Sequence, residues 1–417
     1  MNTYDLIIIG GGAAGVFASL NSKHKRILII ERNTSLMKKL MITGKGRCNL
    51  TNNCDVETVL LNIPRNSAFM RGALSRFTPH DTIAFFEEIG VPLKTERGGR
   101  VFPISDKSGD VVNALKKHLN AEIVTDRARE LIIESVPVGA TCGRPQMVTG
   151  VKCETATYYS KNVLISTGGM SYPKTGSTGD GYEMARKVGH SITPLKPSLI
   201  PLETVEDCSS VMGLSLKNVR LTLLKNNKAV FSEQGEMLFT HFGVSGPLVL
   251  SASSYISELS TIHYQLSIDF KPALDEKKLD TRILRDFNEN KNKQFKNSLN
   301  ALLPEKLIEL FITRSKIPPD KRVNEITRQE RERLISLFKD FRLTVKSFRP
   351  IEEAVITDGG ISVKEIDPKT MQSKLVKGLY FAGEIIDVTG FTGGFNLQIA
   401  FSTAYTAISS IDFSLNP

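Results

Sequence analysis

The chain has 417 residues, a formal net charge of +10, 41% hydrophobic residues and five cysteines. That length exceeds what one hydrophobic core usually serves, so two or three domains are expected. No stretch reaches the roughly 20 apolar residues of a membrane span, LIIIGGGAAGVFASL lacks a signal peptide's basic start, and Cys48, Cys54, Cys142, Cys153 and Cys208 form neither a CxxC nor a zinc-like cluster, so a cytoplasmic protein without membrane segment, disulfide or metal is expected.

Residues 5–31, DLIIIGGGAAGVFASLNSKHKRILIIE, read as an apolar strand, a glycine-rich turn, a helix and a second apolar strand closed by an acid. Such a βαβ unit grips the ADP half of a dinucleotide. Gly10 permits the tight turn, Gly12 lets backbone N–H groups approach a pyrophosphate, and Gly15 lets the helix sit close on the sheet. The helix N-terminal amides, at Ala13 and Ala14, favour an anion. Glu31 ends the second strand, where a carboxylate accepts from both ribose hydroxyls of an adenosine lacking a 2′-phosphate, which favours FAD or NAD over NADP.

ERNTSLMKKLMITGKGRCNLTN follows as a basic, glycine-containing loop, then a helical stretch rich in Phe and Arg through residue 90. TERGGRVFPISDKSGDVVNALKKHLNAEIVTD reads as a hairpin, an amphipathic helix opened by Ser and Asp, and a strand. Residues 131–162 resemble a strand meander broken by VPVGATCGRPQ, and KNVLISTGG is a buried strand entering a glycine turn. From Pro194 to about Phe270 the pattern is short alternating strands, and residues 275–345 are helical and charged. Strands return at SFRPIEEAVITDGGISVKEI, and KGLYFAGEIIDVTGFTGGFNLQIAFSTAYTAISSI gives a strand, a glycine-rich loop and a final apolar helix. The expectation is an α/β protein with a discontinuous Rossmann-like domain, 1–193 with 350–417, interrupted by a β-rich domain at 194–270 and a basic helical subdomain at 271–349. That subdomain holds 20 Lys and Arg against 12 Asp and Glu, a candidate footprint for a polyanion such as nucleic acid, with a plain solvated helical face as the rival.

Three glycine-rich segments end strands: Gly10–Gly15, Gly168–Gly181 and Gly383–Gly394. Ligands of open α/β sheets collect at such carboxyl ends. Glu384 and Asp387 follow a strand and can hold ribityl hydroxyls, while Gly393, Gly394 and Asn396 open a helix whose N-terminus suits the flavin N1/O2 edge. An NAD dehydrogenase needs no such third element. Neither a second fingerprint nor a redox CxxC is present, so any nicotinamide visits transiently.

IIGGGAAG at 8–15, GKGRCNLTN at 44–52, GRVFPISDKSGDVV at 99–112, STGGMSYPKTGSTGDGY at 166–182, LFTHFGVSGP at 238–247 and the terminal GLYFAGEIIDVTGFTGGFNLQIAF closely resemble the BaiN/RdsA family of FAD-dependent oxidoreductases, a branch of the glutathione-reductase-like flavoproteins. The resemblance spans nearly the whole chain. It implies a glutathione-reductase-type FAD domain whose cofactor residues are the glycines Gly10, Gly12, Gly15, Gly44, Gly46, Gly168, Gly169, Gly383, Gly393 and Gly394 with Glu31, Glu384, Asp387 and Asn396, and Ala13, Ala14, Arg32, Lys39, Lys45, Arg47, Cys48 and Thr167 beside them are expected at the same site. Family members are assigned to bile-acid metabolism and to dihydrouridine synthesis in ribosomal RNA. The second assignment implies reduction of a uridine C5–C6 bond in 23S rRNA by FADH₂, itself reduced by NADH or NADPH, and the basic insertion suits a folded RNA. The rivals are an ene reductase acting on a small cyclic, steroid-like enone and a non-catalytic flavin-bound RNA-associated protein.

Ene reduction needs a proton donor beside the hydride acceptor. Cys48 is the first candidate, with packing or a backbone turn as its plain alternative. Lys45 and Arg47 are candidates for the FAD pyrophosphate or a substrate phosphate, against a solvated loop. Tyr172 can donate a proton or stack on a base, against a buried structural role. His241, between two phenylalanines, faces the flavin across a domain cleft or is a satisfied core residue.

Overall fold

The computed structural model describes residues 2–135, 146–256 and 264–413, so Cys142 and most of the VPVGATCGRPQ break lie outside the described residues. The chain divides into two compact units, Met1–Ser198 with Ile351–Pro417, and Leu199–Pro350.

The first unit has a Rossmann-type α/β fold. Its centre is a five-stranded parallel sheet in the order Leu379–Phe381, Val163–Ile165, β1 (Leu6–Ile9), β2 (Ile27–Glu31), Glu122–Thr125. LIII and ILIIE are buried at every position, as strands covered on both faces must be. Between β1 and β2 runs α1 (Ala13–Leu20), which lies along the final helix Phe395–Phe413. Phe17 of α1 meets Phe77, Phe85 and Phe401 with ring centroids 5.0, 4.9 and 4.9 Å away. Next come α2 (Lys38–Gly46) and β3 (Thr51–Asn52), the latter in a small antiparallel sheet with Arg100–Pro103 and Leu93–Thr95. The meander is present as Ala128–Ser135, Gln146–Cys153 and Thr157–Tyr159. Lys196–Ser198 pairs antiparallel with Ile356–Asp358, which draws the chain as far as Ser198 into this unit. The composition change at Pro194 marks the start of that pairing.

In the second unit six strands close a barrel, in the order Leu202–Thr204, Gly243–Ser245, Lys228–Thr240, Ser215–Lys225, Tyr264–Asp269, Phe341–Phe348. Three helices, Glu276–Glu289, Glu305–Ser315 and Arg328–Lys339, share its core. The anticipated border at residue 270 therefore separates nothing. Phe270 of the β stretch stacks edge-on against Phe311 and Phe341 at 5.1 and 5.5 Å, and Phe311 meets Phe338 at 4.8 Å. FRLTVKSF, placed in the helical stretch by its charge, alternates buried Phe341, Leu343 and Val345 with exposed Arg342 and Lys346, the period of the strand that closes the barrel.

Candidate cofactor and active site

The glycine loop between β1 and α1 separates its three glycines by what surrounds them. Gly10 has φ +102°, and a Cβ there would lie 2.7 Å from the Ser166 carbonyl oxygen. A Cβ on Gly15 would fall 2.0 Å from the Gly10 oxygen, so helix and strand touch only because that atom is missing. A Cβ on Gly12 would meet nothing within 4 Å. Packing accounts for Gly10 and Gly15; at Gly12 there is free room at the N-cap of α1, beside first-turn amides that a helix leaves without internal partners.

Glu31 faces this loop from the end of β2. Its Oε2 accepts from the Gly11 N–H at 2.8 Å, and its Oε1 accepts from the Asn33 N–H at 2.9 Å and Asn33 Nδ2 at 2.8 Å. Three of a carboxylate's roughly four acceptor positions are thus filled. So held, Glu31 has about one acceptor position left, on Oε2. Arg32 turns to Thr178 Oγ1 at 2.5 Å and Asp180 at 3.5 Å, where Arg127 also binds.

The second and third glycine segments meet in one polar knot. Lys39 of α2 donates to Glu384 Oε2 at 2.6 Å and to Ser171 Oγ at 2.7 Å. Ser171 Oγ and the Thr357 N–H donate to Glu384 Oε1 at 3.0 and 2.9 Å. Gly169 is explained here, because its Cβ would fall 2.5 Å from Thr357 Oγ1 and 2.9 Å from Glu384 Oε1. Gly168 at φ +71° backs onto Ser177 Oγ, and a Cβ on Gly383, at φ +80°, would lie 3.1 Å from the Ala14 Cβ. Asp387, 5% exposed, is held by Arg65 and by Asn66 Nδ2, which reaches its carboxylate at 3.2 Å and its carbonyl at 2.6 Å. Sequence reading missed Arg65, Asn66, Asn33 and Thr357. Only Asn33, two positions past Glu31, left a trace in the pattern.

The structure gives Asn396 a different task. Its amide clasps its own loop, accepting from the Gly390 N–H at 2.8 Å and donating to the Gly390 carbonyl at 2.7 Å. The same loop rests on β3: Asn52 Nδ2 donates to the Gly393 oxygen at 3.1 Å, and a Cβ on Gly394 would fall 2.3 Å from the Thr51 oxygen. These residues shape the loop.

In the basic loop Arg47 is spent internally. Gly44, Lys45 and Gly46 all have left-handed backbone at φ +58°, +60° and +83°, and the Lys45 side chain is exposed. Arg47 is bound to Glu96 and to Asp106 (2.8 Å from Nε) and lies 4.1 Å over the Phe102 ring, so its charge is already met. Cys48 is 0% exposed at φ +60°, and burial pushes its thiol up to about 12. A thiol so enclosed is out of reach of a substrate, and packing and the turn account for it. In the same motif the Asn49 Oδ1 is buried without a hydrogen-bond partner.

Tyr172 is half-buried, and burial together with Glu353 raises its phenol. Its backbone is at φ +53° directly before Pro173, a conformation that bulky residues and residues preceding proline both avoid. The Thr175 N–H and Oγ1 hold it there, donating to the Tyr172 carbonyl at 2.8 and 2.7 Å, while Asn33 Nδ2 ties the Thr175 carbonyl at 3.0 Å to the Glu31 side of the site. His241 belongs to the second unit, exposed at the turn between Lys228–Thr240 and Gly243–Ser245 with its ring 5.0 Å from Phe242. Part of the motif around it serves the barrel: a Cβ on Gly243 would fall 2.5 Å from the Leu202 oxygen of the neighbouring strand.

Two observations suit an anionic dinucleotide in the first unit: the open space at Gly12 beside unpaired amides, and Thr167 Oγ1, buried with no partner. Among the described residues no group of acidic, His or Cys side chains has metal-site geometry, and no helix is long and apolar enough to cross a membrane. The charge is less segregated than the sequence suggested, since the second unit as a whole holds 24 Lys and Arg against 19 Asp and Glu. Much of its basic surface is also paired: Arg331 to Asp280 at 2.5 Å, Arg328 to Glu332 at 2.9 Å, Lys321 to Glu330 at 2.8 Å and Lys339 to Asp269 at 2.6 Å.

A family model described as HI0933-like protein Rossmann domain matches residues 4–410. The chain is 32% identical over 419 residues to a ribosomal RNA dihydrouridine synthase of Escherichia coli strain K12, covering 99% of this chain and 98% of that protein. It is 28% identical over 410 residues to a 3-dehydro-bile acid delta(4,6)-reductase of Clostridium scindens, covering 96% and 97%. Among solved structures, the 3-ketosteroid delta1-dehydrogenase of Sterolibacterium denitrificans aligns with TM-score 0.53 over 99% of this chain and all of that one, at 12% identity, a likeness of fold.

Proposed function

Because the chain belongs to the HI0933-like Rossmann-domain family, we propose that it is an FAD-dependent oxidoreductase that takes electrons from NADH or NADPH and reduces the C5–C6 bond of a uridine in 23S ribosomal RNA to dihydrouridine. The observation that carries the cofactor reading is the Gly12 cradle: open space where a Cβ would stand, the first-turn amides of α1 beside it, and an anchored carboxylate at Glu31. FAD, when bound, supplies the hydride. The chain supplies the rest. The α1 amides and Glu31 hold the ADP half, and Lys39 fixes Glu384 at the far glycine segments. Of the three proton-donor candidates Tyr172 fits best, since its raised phenol stays protonated at neutral pH while Cys48 is sealed in the core. A ribosomal RNA substrate puts the protein in the cytoplasm, with RNA as its partner.

The test is nucleoside mass spectrometry of ribosomal RNA from cells with and without the gene. Dihydrouridine that disappears on deletion and returns when purified holoprotein and NAD(P)H act on protein-free rRNA supports the reading. Unchanged rRNA, with turnover of a cyclic steroid-like enone, favours the second reading, which the 28% identity to a bile-acid reductase supports.

A further inference from the structure

Resting on the RNA reading, we propose that the second unit grips RNA phosphates along one edge, built from two chain segments that pair between its helices. Residues 290–304 contain no Asp or Glu, and their exposed cations are Lys291, Lys293 and Lys296. This run lies antiparallel to residues 318–323 through a bridge between Gln294 and Arg322. The Val323 N–H donates to the Lys293 oxygen at 3.0 Å, the Phe295 N–H to the Lys321 oxygen at 2.8 Å and the Lys296 N–H to the Pro319 oxygen at 3.0 Å.

The pairing gathers Lys291, Lys293, Lys296 and Arg322 on one short edge. Lys296 is paired, to Asp320 at 2.6 Å. Lys291, Lys293 and Arg322 are exposed and make no ion pair with a carboxylate among the described residues, unlike Arg328 and Arg331 on the neighbouring helix. Phe295, the aromatic of the run, is 0% exposed and anchors the edge to the core, so it offers no ring to a base. Cations and amides without a stacking platform read the nucleic-acid backbone, which positions a substrate and carries no sequence information. The edge is therefore a sequence-independent anchor, and recognition of the target base belongs elsewhere.

The experiment compares holoprotein with the triple variant Lys291→Ala, Lys293→Ala, Arg322→Ala and the control Arg328→Ala, binding protein-free 23S rRNA and an unrelated RNA duplex across a salt series. Each lost phosphate contact removes about 0.7 to 0.9 from the slope of log affinity against log salt, so the triple variant should fall by about 2 to 3 in slope and about tenfold or more in affinity for both RNAs. The control should keep the wild-type slope, and both variants should keep FAD content, melting temperature and NAD(P)H-driven flavin bleaching. An unchanged slope in a folded triple variant overturns the proposal, even where the wild type makes dihydrouridine. Slope loss in a protein that leaves rRNA uridine unreduced supports the edge and overturns the reaction. Capture by anionic phospholipid vesicles with RNA binding unaffected also overturns it. Should the triple variant melt early, Lys291→Gln with Lys293→Gln removes two of the three charges while keeping polar side chains, and half to two-thirds of the slope loss is then required.

Discussion

Gly12 and Gly15 stand three positions apart in one loop, yet the same substitution should do different things to them. Gly12→Ala adds a methyl where nothing lies within 4 Å, so the apo protein should melt like wild type while FAD retention, read from the ratio of flavin to protein absorbance, falls at least about tenfold through loss of approach to the pyrophosphate. Gly15→Ala drives a methyl to 2.0 Å from the Gly10 oxygen and should cost about 1–3 kcal/mol in denaturant unfolding before any cofactor is added. If both lose stability equally, the free room at Gly12 is not a ligand site. Tyr172→Phe should keep FAD and its reduction by NAD(P)H but slow transfer to substrate; equal rates in that half-reaction would remove Tyr172 as donor. His190 offers a pH signature. Its side chain is enclosed with Nε2 2.8 Å from Ser373 Oγ and Nδ1 3.2 Å from Glu365, and burial lowers its pKa against the opposing pull of Glu365. Below the ordinary value of 6.5 the unfolded chain binds a proton that the native one refuses, so stability should drop as pH falls from 6.5 towards the native pKa, and His190→Gln should flatten that slope in thermal melts. The tight turn at Gly10 and the close packing at Gly15 were legible because their spacing leaves each one place to stand. The filled acceptor positions of Glu31 and the pairing of Arg47 were not, since both depend on partners that only folding brings together.

The final helix, Phe395–Phe413, shows what a burial pattern hides at the scale of an element. It is enclosed nearly all round, so its sequence carries no amphipathic stripe, and its polar residues look out of place until their partners are seen. Gln398, 0% exposed, accepts from Thr51 Oγ1 at 2.6 Å and Thr82 Oγ1 at 2.7 Å and donates to the Phe77 carbonyl at 3.1 Å and Ser402 Oγ at 3.0 Å. Gln398→Ala strands the Thr51 hydroxyl in the core and leaves Thr82 Oγ1 only the Thr78 carbonyl at 3.3 Å, so it should cost about 1–3 kcal/mol in denaturant unfolding, whereas a loss below about 0.5 would mean that water replaces the amide. The existence of this helix was legible from its length and its glycine-rich entry. The strand Phe341–Phe348 was overlooked because its Arg and Lys, read as part of a charged helical block, sit on its solvent side while three apolar residues close the barrel.

At the scale of the molecule, 199–350 has its own hydrophobic core, and its first and last strands, Leu202–Thr204 and Phe341–Phe348, are hydrogen-bonded neighbours joined also by Glu203 to Arg349 at 2.9 Å. Expressed alone, that stretch should fold and melt in a single transition, and Phe311→Ala should weaken strands and helices together by about 3–5 kcal/mol, since both share one core. Separate melting of strand and helix signals would restore the border that composition suggested. The interruption of the host by an insertion was readable from the return of flavin-type motifs after residue 350, but the unity of the insertion was not, because contacts between Phe270, Phe311 and Phe341 leave no local mark. Both ends of the insertion are fastened by antiparallel pairs, Lys196–Ser198 with Ile356–Asp358 in the first unit and Leu202–Thr204 with Phe341–Phe348 in the second. A stretch fastened in this way can be exchanged as a cassette, because only one entry and one exit have to be matched.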